Sequence, residues 1–445
     1  MSKSNRLSAV VAALAVGFSV GETAIAPSHA QSLPSRGVIM SRDPEAFRMP
    51  VEEVRGMWVV RSSVTSPQKI RNVIATSKRF GFNTLFVQVR GRGDAYYTST
   101  LEPRSEELSN QPLTFDPLAM TITLAHDAGI QVHAWVNTDF VWGGSRRPLS
   151  PDHILNKHPD WIARTSKGTY STVATAQCEG VFVTPANPEV RQHNHDVFME
   201  LVKNYDLDGI HFDYIRYPNQ SYDFSPATTT AFCADMTTRG IASPGAKAKE
   251  ADKLAFIKAH YDDWSNWRRA QVTDMVESIS RDAHDAKPGI VVSAAVFANW
   301  REAYVEKGQD WHRWLADGAL DAVVPMAYSS DTSLVASQIA DAARVATAAG
   351  RHCYAGLGAW HIPAAGAIVK TDVARAVGAQ GVVLFSYGGV TRDGESSAYL
   401  TKYTTSAFVR PATLPKMAWN VKPGVAVGTA VPAEGSPPTG DGTAN

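Results

Sequence analysis

The chain has 445 residues, 44% hydrophobic and 19% charged, which suits a large buried core and excludes a mainly disordered protein. Its 43 Lys and Arg are matched by 43 Asp and Glu. That balance argues against a basic groove for nucleic acid and disfavours a strongly anionic ligand.

The first thirty residues read as a secretory signal peptide. Lys3 and Arg6 precede an apolar run over 7–20, and Ser28-His29-Ala30 supplies the small residues of a cleavage site. An uncleaved N-terminal anchor is the alternative. The run is short of the roughly 20 residues that span a membrane, and no second apolar run of that kind follows. The mature chain is therefore expected to begin near Gln31, to lack a transmembrane segment, and to be periplasmic or secreted.

From about residue 50 to 410, short β-rich runs alternate with amphipathic stretches. Strands are expected over 55–60, 83–90, 130–137, 208–214, 290–297, 320–328, 353–360 and 381–387. Helices are expected over 67–80, 117–128, 188–205, 252–286, 310–317, 333–349, 364–377 and 395–408. Eight strands, each followed by a helix, predict one closed (β/α)8 TIM barrel, with an open doubly wound sheet as the alternative. The longest βα loops follow the third strand (138–186) and the fourth (218–251). Residues 411–445, rich in Pro, Gly and Ala, read as a flexible tail. An exported protein could bridge Cys178 to Cys233 and bury Cys353 as a thiol; three thiols are the alternative.

Side chains alternate along a strand, so parity assigns the barrel interior. Ile210 and Phe212 should face the helices, which turns Gly209, His211 and Asp213 inward. The same parity turns Gln88 and Arg90 inward from the second strand, and His133, Trp135 and Asn137 from the third. From the sixth it turns Met326 and Tyr328 inward. These polar groups gather at the C-terminal ends of strands, where barrels of this kind carry their active sites. A hydrogen-bonded network that only fixes register is the plainer alternative.

The most informative phrase is Leu207-Asp-Gly-Ile-His-Phe-Asp-Tyr-Ile-Arg-Tyr-Pro218. Asp208 opens the strand and should cap the preceding turn. Asp213 closes it, beside Tyr214, Arg216 and Tyr217. A carboxyl group flanked by aromatic faces suits glycosidic chemistry, which needs an acid or nucleophile at the anomeric centre and flat surfaces to hold the ring. An ion pair of Asp213 with Arg90 or Arg216 is the structural alternative. Eleven Trp residues offer further stacking faces, with Trp135 and Trp360 at strand ends the best placed. Trp142, Trp161, Trp300 and Trp311 also fall near βα loops. His133, His211 and Asp213 could in principle hold a metal, but no accompanying His-rich motif supports one. No metal or other cofactor is expected, and His211 should orient Asp213.

In order along the chain stand Arg55-Gly-Met-Trp-Val-Val60, Phe86-Val-Gln-Val-Arg-Gly-Arg-Gly-Asp-Ala-Tyr-Tyr97, Phe115-Asp-Pro-Leu118, Val132-His-Ala-Trp-Val-Asn137, the phrase around Asp213, and Val324-Pro-Met-Ala-Tyr328. This set resembles the glycosyl-hydrolase-like 10 family, formerly a domain of unknown function, across most of 54–408. The resemblance implies a TIM barrel, export and action on a glycan, some relatives being held to cleave peptidoglycan strands. It places Asp213 as the carboxylate ending strand four, His133, Trp135 and Asn137 as the strand-three set, and Gln88, Arg90 and Asp94 as the strand-two set. The chain departs from the family after Asn137, where it reads Thr138-Asp139-Phe140. It also carries one acidic residue before Tyr214 where others carry two.

The expected function is therefore an exported glycoside hydrolase acting on a polysaccharide, with the N-acetyl-sugar strands of peptidoglycan as the expected substrate. Asp213 is the leading acid or nucleophile, and Asp331 the candidate second carboxylate, ahead of Asp94, Asp139 and Glu302. Gln88, Arg90, Asp94, His133, Trp135, Asn137, His211, Tyr214, Arg216, Tyr328 and Trp360 are the expected substrate-binding set. A substrate's own N-acetyl carbonyl could replace the second carboxylate, with Tyr328 holding the amide. A glycan-binding barrel without catalysis is the rival.

Overall fold

The computed structural model describes residues 50–170, 178–391, 397–417 and 419; the signal-peptide segment and the end of the tail lie outside them. Eight parallel strands close into one barrel in chain order: β1 (Val54–Val59), β2 (Thr84–Arg90), β3 (Gln131–Asn137), β4 (Gly209–Asp213), β5 (Val291–Phe297), β6 (Ala322–Met326), β7 (His352–Leu357) and β8 (Gly381–Phe385). β8 pairs back onto β1, Val383 opposite Gly56. The expected (β/α)8 barrel is the fold found.

The longer helices are α1 (Pro67–Arg79), α2 (Pro117–Asp127), α3 (Pro188–Asn204), α4 (Pro226–Thr238), α5 (Glu250–Ala259), α6 (Tyr261–Ala286), α7 (Trp311–Ala316), α8 (Thr332–Ala348), α9 (Ala364–Ala376) and α10 (Ala398–Ala407). The first four share one start: a Ser, Asp or Asn whose side chain accepts an early backbone N–H, followed by Pro at the first helical position. Gly129 and Gly350 follow α2 and α8 with φ of 74° and 65°, where a side chain would be strained. The stretch expected as one helix over 252–286 is two, parted at His260. α4 was not expected, because its apolar residues form no single stripe and Thr228 and Thr229 share its buried side.

Parity holds around the barrel. Ile210, Phe212, Val132, Val87 and their counterparts pack outward against the helices. Val54, Trp58, Phe86, Trp135, Val324 and Tyr354 belong to a separate interior cluster. Interior and exterior layers on one strand are what close-packed barrels need.

A repeated device locks the N-terminal ends of the strands in pairs. Asn83, Asp208, Asp321 and Gln380 each directly precede an even-numbered strand. Each side-chain oxygen accepts the backbone N–H of Arg55, Val132, Val292 or Cys353 on the preceding odd strand, at 2.8–2.9 Å. Each backbone N–H donates back to the carbonyl of that same residue. His126 and His284, from α2 and α6, add a bond to Asp208 and Asp321. Asp208 thus caps the turn before β4, as expected. Every such bond satisfies a polar group that the barrel would otherwise bury unpaired.

The base of the barrel is closed by residues beyond Arg410. Ala412–Thr413 pairs in parallel with Val51–Glu52. Leu414 and Met417 pack against the interior cluster. The Trp419 indole donates to Asp321 at 2.6 Å and lies beneath the Arg351 guanidinium. Together with Tyr354 and His133, Leu414 and Met417 wall a cavity of about 230 Å³. The folded unit therefore runs past the expected limit of 410, because these apolar residues cover the barrel floor rather than repeating along a helix. Ending the chain after Arg410 is expected to cost about 2–3 kcal/mol, roughly three half-buried apolar side chains. A thermal melt reads this, and an unchanged Tm would refute it.

Cys178, Cys233 and Cys353 form no disulfide, which corrects the expected Cys178–Cys233 bridge. Cys178 packs with Phe140, Phe182 and Tyr222 near the β3–α3 loop and donates to the Gly180 carbonyl, whereas Cys233 lies on α4. Among the described residues no helix is long and apolar enough to cross a membrane.

Candidate active site

Asp213 is the last residue of β4 and pairs in register with Asn137, the last of β3. It is 7% exposed, and both its oxygens are engaged. The Trp135 indole donates to Oδ2 at 3.0 Å, and the Tyr214 backbone N–H to Oδ1 at 2.7 Å. Tyr214 reaches that position with φ of 50°, a left-handed turn rare for a bulky residue. Burial pushes the Asp213 carboxyl up to about 6, against the opposing pull of Arg216 and the two donors. A carboxyl group so placed holds its proton into the mildly acidic range, as a general acid requires.

The interior beneath Asp213 is a neutral hydrogen-bonded layer. Trp58 Nε1 donates to His211 Nε2 at 3.2 Å, and His211 Nδ1 faces Ser293 Oγ at 2.9 Å. Burial drives the His211 pKa well down. The expectation that His211 orients Asp213 is thus replaced: Trp135 and the Tyr214 N–H do so. His133 lies lower still, beside the floor cavity and against Gly209, whose missing Cβ leaves room for the imidazole. Burial lowers its pKa to about 4, so it is neutral. It faces the stability end rather than the cleft. His133, His211 and Asp213 do not converge, and among the described residues no group of three or more His, Cys, Asp or Glu could hold a metal.

The expected strand-two residues build the wall rather than line the cleft. Arg90 is fully buried and clasps Glu102, with Nη2 at 2.6 Å from Oε1. Its Nη1 donates to the carbonyls of Asn137 and Thr138 at 2.5 and 2.7 Å. Gln88 donates to Asn137 Oδ1, and Asn137 donates to the Gly91 carbonyl. Asp94 is buried and accepts the Arg92 N–H. All four residues are buried, so they support the β2 and β3 loops.

The expected second carboxylate also has another use. Asp331 is exposed and caps α8, accepting the N–H groups of Ser333 and Leu334. Asp139 is buried, where it accepts the Arg216 N–H and an Asn194 amide proton. Burial pushes its carboxyl well up. Glu302 is exposed.

The open part of the mouth is aromatic. Tyr214, Phe297, Tyr328, Trp360 and Phe385 are all half-buried. Tyr328 meets Trp360 edge-on at 4.9 Å, and both contact Phe385, at 5.6 and 5.3 Å. Burial, with the nearby Asp213 carboxylate, raises the Tyr328 hydroxyl well above its usual range. Of the other loop indoles, Trp142, Trp161 and Trp311 are buried packing residues, and Trp300 stacks on His312.

Arg216 is buried, with its guanidinium 4.4 Å over the Tyr214 ring and 5.1 Å over Phe297. Its Nη2 donates to Glu179 Oε1 at 3.1 Å. Glu179, a residue the sequence did not single out, comes from the long β3–α3 loop. A short hairpin, Phe140–Trp142 with Val181–Phe182, folds that loop back over the mouth. Gly180 directly precedes the second of these strands at φ of 153°, where a Cβ would collide with the Trp142 carbonyl. No local motif marks Glu179. Only the closed barrel brings it to Arg216.

A model of the glycosyl hydrolase-like 10 family matches residues 53–372. The chain belongs to this family. Among curated family relatives, glycosyl hydrolase YngK of Bacillus subtilis (strain 168) is 28% identical over 310 residues, covering 62% of this chain and 54% of YngK. Glycosyl hydrolase DigH of Escherichia coli (strain K12) is 24% identical over 335 residues, covering 65% and 68%. The chain thus spans about half the length of YngK. Among solved structures, the catalytic domain of β-amylase from Paenibacillus polymyxa is similar with a TM-score of 0.57 at 12% identity, covering 80% of this chain and 98% of that one. Isoenzyme 2 of α-L-fucosidase from Paenibacillus thiaminolyticus gives 0.53 at 16% identity, covering 80% and 49%. At such identities these structures bear on the barrel fold alone.

Proposed function

We propose that the protein is an exported glycoside hydrolase that cleaves a polysaccharide, the N-acetyl-sugar strands of peptidoglycan being the substrate. The observation that carries this is Asp213: a buried carboxyl at the C-terminal mouth of the barrel, held by Trp135 and the Tyr214 N–H, under an aromatic rim. Family membership and relatives named as glycosyl hydrolases support the same chemistry. Export rests on the N-terminal sequence, and the neutral charge balance fits a strand gripped by rings rather than by cations.

In this reading the sugar lies against Trp360 and Tyr328, and Asp213 delivers its proton to the glycosidic oxygen as the bond to the anomeric carbon breaks. The test is digestion of purified cell-wall glycan, with and without its stem peptides, followed by chain-length analysis. Shortened strands are expected. Binding with no shortening would instead make the protein a glycan-binding barrel. Trp360→Ala should weaken substrate binding about tenfold, the equivalent of about 1.4 kcal/mol of lost ring contact. Isothermal titration with a glycan oligomer reads this, and unchanged affinity would remove Trp360 from the subsite.

A further inference from the structure

Asp213 as the acid leaves its partner group unassigned. Building on the hydrolase reading above, we propose that Glu179 is the general base of the same site, brought from the β3–α3 loop to the mouth by Arg216. Two observations place it there. Arg216 joins it directly to the Asp213–Tyr214 corner, with Nη2 on Glu179 Oε1 at 3.1 Å and the guanidinium over the Tyr214 ring. The Glu179 side chain keeps 28% of its surface exposed, whereas that of Arg216 keeps 4%, so the carboxylate reaches the space where sugar and water enter.

The charges around the pair set the two carboxyl groups apart. Burial works against an ionised Glu179, but Arg216 and Lys307 outweigh it and hold the carboxyl below its ordinary value. Lys307 Nζ sits 4.7 Å over the Phe297 ring and donates to the Pro218 carbonyl. Asp213 faces Arg216, Tyr214, Tyr328 and the Glu179 charge itself, and burial lifts it. Two carboxyl groups with environments that separate them in this way divide acid and base roles. Arg61, the remaining nearby cation, acts on Tyr214 and is bound to Gln88.

The step balances without any co-reactant but water. Asp213 gives its proton to the glycosidic oxygen, and the electron pair of the C1–O bond stays on that oxygen. A water oxygen forms the new bond to C1 while Glu179 takes that water's proton. Solvent then reprotonates Asp213 and deprotonates Glu179. The first product carries inverted anomeric configuration.

The experiment compares the full chain with Glu179→Gln and Glu179→Asp on the glycan strand, with and without azide. The first-formed anomer is read by proton NMR, and the Asp213 carboxyl is titrated by carbon-13 NMR. Expected are an inverted product from the parent, a kcat about a hundredfold lower in Glu179→Gln with KM little changed, and partial recovery with azide through a glycosyl azide. Glu179→Asp should keep more activity than Glu179→Gln. In Glu179→Gln, Asp213 should titrate at lower pH, because an anion beside it is gone and Arg216 is released. Parental kcat in Glu179→Gln, a loss that azide does not relieve, or a retained anomer would overturn the assignment while leaving the hydrolase reading standing. A parent that shortens no glycan would overturn the hydrolase reading, and this one with it.

Discussion

Asp213→Asn is expected to lower kcat on glycan by about a thousandfold, the range for loss of a positioned general acid, with little change in substrate affinity. The amide keeps the size of the carboxyl but has no proton to give. The parent should lose kcat/KM as pH rises through about 6, where Asp213 ionises, and Asp213→Asn should lose that limb. On stability the substitution should have the opposite effect. Burial raises the carboxyl from 3.8 unfolded to about 6 folded, so the folded state favours the protonated form. That contribution is complete below pH 3.8 and is lost as pH rises to about 6, a difference of about 3 kcal/mol. At pH 8 the parent therefore carries an ionised, poorly solvated group that Asp213→Asn lacks. The amide also turns an N–H toward one of the two donors, Trp135 or Tyr214, which gives back about 1 kcal/mol. The net expectation is a variant about 1–2 kcal/mol more stable at pH 8 and almost inactive. Denaturant melts at pH 4 and pH 8 check the stability, and a variant less stable at pH 8 would contradict the account. Parental turnover would remove Asp213 from catalysis.

The barrel was legible because its signals are local. Capped Pro starts such as Asp116-Pro117, Gly129 and Gly350 after helices, and strict alternation along β4 each act within a few residues. The aromatic mouth followed from the same parity, since Tyr328 and Trp360 lie at or just past strand ends. Partnership was not legible. Parity turns Arg90, Gln88 and His211 inward but cannot say whether an inward group meets substrate or another side chain. Glu102 lies twelve residues after Arg90 in an irregular loop, with nothing in its neighbours to mark it. Trp58 and Ser293, which engage His211, come from β1 and β5. Asp331 lay at the right end of the barrel, but an acidic residue that opens a helix is also a cap, and the cap is what forms. Glu179 needed a hairpin in the β3–α3 loop and a cation from the β4 loop, contacts that no sequence spacing encodes.

Glu102→Ala is expected to destabilise the fold by about 3–5 kcal/mol, because it strands a buried cation. Arg90 has no exposure, and the Glu102 carboxylate takes its Nε at 2.8 Å and its Nη2 at 2.6 Å. His193 from α3 adds a third contact to Glu102 at 3.0 Å. Burial alone would raise the Glu102 carboxyl, but Arg90 and His193 outweigh it and hold the group far below its ordinary value. The sign follows: this stability is present above the unfolded value near 4.5 and is lost as pH falls toward the depressed folded value. The parent should therefore weaken on acidification from about pH 4.5 downward, and Glu102→Ala should weaken less. Arg90→Met with Glu102→Leu removes both charges and should recover part of the loss, since a paired buried charge is replaceable by apolar volume where a single one is not. Recovery should be incomplete, because Arg90 also satisfies the carbonyls of Asn137 and Thr138. Those carbonyls open the loop that carries Glu179, so the double variant should fold yet lose activity. Urea melts and glycan digestion on the same samples separate the two effects. A double variant with parental activity would show that Arg90 stabilises the barrel without positioning its mouth.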